Sequence, residues 1–120
     1  MISTTAEKLV RDRTAEIIAS SGETAIVRTA NALEMTELLR QKLQDKVREY
    51  LDGSSLDKLV DVLEVVYALG RDNGCKPPEL ERRRMVKAAE RGGFEQRLVL
   101  VERRTFSSAA HESEGRDLAS

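Results

Sequence analysis

The chain has 120 residues, of which 34% are charged and only 3% aromatic, a balance suited to charge-laced helices and not to a β-sandwich. Lysine and arginine (20) nearly cancel aspartate and glutamate (21), and the net charge of -1 gives no bulk attraction to nucleic acid or to an anionic membrane. A single cysteine, Cys75, excludes an internal disulfide framework, and no apolar run approaches the ~20 residues of a membrane helix. The length sets one domain whose small core dimerisation would enlarge. Residues 1–10 carry no signal-peptide pattern, so the cytoplasm is the expected compartment.

Residues 1–7 read as a polar lead-in. Thr14 is placed to cap a short helix through Ser20, with Ile17 and Ile18 as its core contacts and Gly22 as its stop. Residues 24–29 (TAIVRT) are β-branched and predict a strand. A strand needs a partner, and the only comparable run is 97–102 (RLVLVE), so the two are expected to pair as a minor ribbon.

Asn31 followed by Glu34 has the spacing of a helix start, and the pattern runs to about Asp52. Leu39, Leu43, Val47 and Tyr50/Leu51 recur every three or four residues as one apolar stripe. Gly53 is expected to end this helix by taking a left-handed conformation. Ser54 or Ser55 then caps a second helix over 56–69, apolar almost all round and therefore expected to be buried almost all round. Such a helix must pack on more than its neighbour, which predicts a self-associated bundle.

Residues 70–78 (GRDNGCKPP) read as a loop, and a charged helix follows over about 79–91. Gly92-Gly93 stops it, and Phe94 is expected to anchor the turn in the core. Residues 105–120 (TFSSAAHESEGRDLAS) offer almost nothing to bury and are expected to form a disordered tail beyond a domain of residues 1–104. His111 in that tail and Cys75 in its loop are poor candidates for chemistry.

The acids of the central hairpin stand out. Asp45 and Glu49 are four apart on the first arm; Asp57 and Asp61 are four apart, and Asp61 and Glu64 three apart, on the second. Such spacings share a helix face, and folding the arms together would gather carboxylates suited to a hard divalent cation. Asp61, a charge within an apolar wrap, is the foremost functional candidate.

Three blocks carry a resemblance: residues 8–18 (KLVRDRTAEII), the hairpin 42–69 (KLQDKVREYLDGSSLDKLVDVLEVVYAL) and residues 87–100 (KAAERGGFEQRLVL). Together and in this order, they resemble the MazG-like, all-α nucleoside triphosphate pyrophosphohydrolases, in particular the short house-cleaning branch related to phosphoribosyl-ATP pyrophosphohydrolase. The resemblance implies an all-α, dimeric helical bundle that hydrolyses a non-standard nucleoside triphosphate to the monophosphate and pyrophosphate with magnesium or manganese. Glu49 and Asp61 would ligate the metal, with Asp45, Asp57 or Glu64 completing or orienting its shell. Arg11, Lys87 and Arg91 would lie near the phosphates.

The family takes its metal ligands from an ExxE and an ExxD pair, which in this chain become Lys46-x-x-Glu49 and Lys58-x-x-Asp61. Three readings of the two lysines stand side by side. They form ordinary ion pairs one helical turn apart on a solvated face. Alternatively, their ammonium groups take the metal's place among the acids, leaving a site that binds a nucleotide, a phosphorylated metabolite or a protein partner without hydrolysis. Lastly, the metal survives on Asp45/Glu49 and Asp57/Asp61, with Lys46 or Lys58 free to contact a substrate phosphate.

Overall fold

A computed structural model of the chain describes residues 7–105. Their regular structure is helical: α1 (Thr14–Ser20), α2 (Ala32–Gly53), α3 (Leu56–Asp72) and α4 (Pro77–Arg91). The chain divides into two compact units, Met1–Leu80 and Glu81–Ser120. The expected tail lies outside the described residues except for Thr105.

The first unit is built on the α2–α3 hairpin. Asn31 and Glu34 start α2 with a reciprocal capping box: the Glu34 amide donates to Asn31 Oδ1 at 2.9 Å, and the Asn31 amide donates to Glu34 Oε1 at 3.0 Å. Ser55 caps α3 by accepting from the Lys58 amide. Near the open end of the hairpin, Thr36 donates to Asp72 at 2.7 Å, tying the start of α2 to the end of α3. Between these ends lie the two buried apolar side chains among the described residues, Leu39 (3% exposed) and Val65 (7%).

Several expectations are corrected. Thr14 does not cap α1: Arg13 precedes the helix without a side-chain cap, and Thr14 is its first residue. Ile17 is exposed while Ile18 is half-buried. The left-handed residue after α2 is Ser54 (φ 49°), and Gly53 remains helical. A Cβ there would stand 3.1 Å from Lys58 Cε, because the Lys58 side chain lies back over the turn.

The two-stranded ribbon does not form, since neither run is a strand. Residues 24–29 carry no regular secondary structure, with Ile26 95% exposed, and residues 98–101 are likewise exposed. A β-branched composition sets local backbone preference, while a strand requires hydrogen bonds from a neighbour. Phe94 is 90% exposed and anchors nothing within the second unit, where Gly92 (φ 86°) closes α4 with a bond to the Ala88 carbonyl.

The all-round burial of α3 was expected from self-association, and a single copy covers it on one side. α2 covers one side of it, and Leu56, Leu59, Val60, Leu63 and Val66 remain exposed. A single antiparallel neighbour can shield only one stripe of a helix.

Candidate functional site

The covered stripe of α2 runs through Met35, Leu38, Leu39, Lys42, Leu43, Lys46, Glu49 and Tyr50, all buried or half-buried at helical spacing. On α3 the corresponding stripe is Lys58, Asp61, Val62, Val65, Ala68 and Leu69. The hairpin interface therefore changes character along its length. It is apolar toward the open end and charged toward the turn, where Lys42, Lys46, Glu49, Lys58 and Asp61 fall. Charges on a covered stripe cost desolvation unless partnered, so each of these side chains calls for a specific account.

Asp61 is taken by Arg11. The guanidinium Nη2 donates to Asp61 Oδ1 at 2.8 Å, drawing the segment before α1 onto α3. Glu49 is taken by Lys46 at 3.4 Å; the lysine side chain is only 25% exposed. Asp45 faces Arg48 at 3.6 Å. Lys58 lies over Gly53 and does not reach toward Asp61; its Nζ would stand 3.4 Å from a Cβ built at position 53. α2 has no basic residue in its own last turn, so Lys58 supplies the positive charge that a helix C-terminus favours. Asp57, in the first turn of α3, gives the complementary stabilisation at that helix's N-terminus. Glu64 is exposed on α3. Lys87 and Arg91 are exposed on α4, in the second unit.

A magnesium ion asks for several oxygen donors converging on one point. Among the described residues no three acids, histidines or cysteines gather in that way. The carboxylates that the resemblance makes ligands are instead held by cations of the chain itself, Glu49 by Lys46 and Asp61 by Arg11.

Sequence reasoning missed Lys8 and Lys42. The Lys42 ammonium is held below the ordinary lysine range, first by burial and then by the like charges of Lys46 and Lys8; Asp45 and Glu49 act in the opposite sense. The sequence signal was present in the like-charged Lys42/Lys46 pair at four-residue spacing, which an isolated helix disfavours. Also missed was the bridge made by Arg28, which pairs with Glu7 at 2.9 Å and with Glu34 at 2.8 Å.

Comparisons of the chain with protein-family models, with curated proteins and with solved structures give no significant match.

Proposed function

We propose that this chain is a pyrophosphohydrolase-like helical hairpin that binds a nucleotide or another phosphorylated small molecule without a divalent cation and without hydrolysing it. One observation carries the reading: the carboxylates that should ligate the metal are neutralised from within, Asp61 by Arg11 and Glu49 by Lys46. Clustered carboxylates repel one another unless a cation stands among them. Fixed ammonium and guanidinium groups fill that role permanently, and half-buried Lys42 on the same stripe is the cation this reading assigns to a phosphate. Hydrolysis of a nucleoside triphosphate to monophosphate and pyrophosphate with Mg2+ or Mn2+ is the rival that the same test addresses.

A second copy of the chain is the proposed occupant of α3's outward face. Leu56, Leu59, Val60, Leu63 and Val66 are exposed together along it, and exposed apolar surface of this kind marks association. The compartment that fits a metabolite-binding protein of this sort is the cytoplasm.

The test pairs a binding assay with a turnover assay. Titration of the wild type with ATP in excess chelator should show binding, and pyrophosphate release with Mg2+ or Mn2+ should stay at background over a panel of standard and damaged nucleotides. The Lys46→Glu/Lys58→Glu double mutant, which restores the family's acid pattern, is measured alongside. Chelator-sensitive turnover by the wild type would overturn the proposal in favour of the hydrolase.

A further inference from the structure

We infer that the Asn73-Gly74 turn at the end of α3 is a site of spontaneous covalent modification, where Asn73 converts to aspartate and isoaspartate with water as the only co-reactant. The site is independent of phosphate binding and of self-association.

The chain has two asparagines, Asn31 and Asn73, and only Asn73 is followed by glycine. Asparagine is among the thermolabile side chains, because the backbone nitrogen of the next residue can attack its carboxamide. Here the Gly74 nitrogen attacks Asn73 Cγ, and the new N–Cγ bond closes a succinimide ring. The amide proton leaves with the side-chain amino group as ammonia. Water then opens the ring. Cleavage of the new bond gives aspartate; cleavage of the original peptide bond gives isoaspartate, with the chain continuing through the side chain. A glycine in second place has no Cβ to crowd the attack. A Cβ built at Gly74 would meet nothing within 4 Å, so no neighbour blocks the rearrangement.

The folded turn holds the reacting groups apart. Asn73 is the C-cap of α3 with ψ 13°, and Gly74 follows it with φ 78°. The Gly74 amide donates to the Arg71 carbonyl at 2.9 Å and the Cys75 amide to the Gly70 carbonyl at 2.8 Å, the two bonds of a Schellman closure. Asn73 Nδ2, the nitrogen that must leave, donates to the Leu69 carbonyl at 2.8 Å. Reaction therefore goes through an opened last turn. Opening costs little, since these bonds are all local and Asp72, Asn73 and Gly74 are exposed. Asn31 offers the contrast: Ala32 follows it, and its side chain accepts from the Glu34 amide inside the capping box.

The product does not restore the turn. A carboxylate at position 73 replaces the donor to Leu69 with an acceptor, and negative charge at a helix C-terminus is unfavourable. The adjoining residue is Asp72, which Thr36 ties to the start of α2 at 2.7 Å. Conversion thus loosens the open end of the hairpin.

The full chain is kept warm at mildly alkaline pH, folded and in parallel unfolded in urea, and each asparagine is followed by peptide mass and isoaspartate content. The folded chain should accumulate both products at residue 73, more slowly than the unfolded chain and with Asn31 intact. Gly74→Ala should slow conversion of the unfolded chain by about tenfold or more, because its Cβ crowds the attack. In the aged chain the amides of residues 73–75 should exchange faster, and Asn73→Asp should speed the same amides without ageing. An intact Asn73 in the folded chain, after the unfolded chain has converted completely, would overturn the site. Conversion with unchanged exchange at 73–75 would overturn the loosening of the hairpin.

Discussion

Arg11 donates to Asp61 across fifty residues of sequence at 2.8 Å, and this contact fastens the segment before α1 to α3. Both side chains retain solvent access, so the pair is screened and its contribution is modest. A double-mutant cycle with Arg11→Gln and Asp61→Asn should give a coupling energy of under about 1 kcal/mol by denaturant unfolding. The larger effect should be local: amides of residues 7–13 should exchange faster in either single mutant while those of α2 are unchanged. Uniform exchange across both regions would contradict the anchoring role.

The capping box at the start of α2 makes stability depend on pH in a definite direction. Glu34 is depressed from an ordinary 4.5 to about 2, first by the hydrogen bond from Arg28 and then by the Asn31 amide. A carboxylate whose folded value is lowered stabilises the fold above its unfolded value, and that stability is lost as pH falls through the folded one. The wild type should therefore lose stability between pH 4.5 and about 2. Glu34→Gln should flatten that part of the profile, and its helical signal on acid titration is the measurement that decides.

Ser54 holds a left-handed backbone (φ 49°) that non-glycine residues adopt at a cost. Ser54→Gly should stabilise the chain by roughly 0.5–1 kcal/mol. Gly53→Ala at the neighbouring helical position meets only the far end of the Lys58 side chain, which can swing away. It should be neutral or stabilising by a few tenths of a kcal/mol, the helix-propensity gain offset by losing Lys58 from the α2 terminus. Melting temperatures of the two single mutants test both.

Leu39 is the most buried apolar side chain described. Leu39→Ala should cost about 2–5 kcal/mol, a large part of the stability of a domain this size. Unfolding followed by helical signal should show the midpoint falling steeply.

Leu63, in the middle of the exposed face of α3, addresses self-association. Sedimentation of the wild type at micromolar concentration should show a dimer, and Leu63→Glu should show a monomer that retains its helical content, because a buried unpaired carboxylate disfavours the interface. A monomeric wild type would contradict a second copy on this face.

What the sequence made legible was local. Asn31/Glu34 and Ser55 announce helix starts because a cap is a contact within four residues, and both were found where expected. The stripe was readable at Leu39, Leu43 and Tyr50, where periodicity and packing face coincide, while Val47 and Leu51, expected on it, are exposed. The β-branched runs at 24–29 and 97–102 were misread because a strand is a property of two segments, and composition describes one. Position 53 shows the same limit at closer range: glycine signalled a left-handed turn, yet Ser54 takes that conformation and Gly53 makes room for Lys58. At the site, the acids were visible by spacing, while Arg11's hold on Asp61 is a long-range placement that no spacing rule contains.

The bare outward face of α3 has a calorimetric consequence. Heat capacity rises on unfolding in proportion to the apolar surface newly wetted, typically about 12–15 cal/mol/K per residue. A lone copy with only Leu39 and Val65 buried among its described apolar residues has little such surface to expose and should fall below that range. An assembled pair, dry along Leu59, Leu63 and Val66, would approach it, and its melting temperature would climb with protein concentration by mass action. The width and position of one thermal transition, recorded at several dilutions, would then measure how much of this chain's interior belongs to its partner.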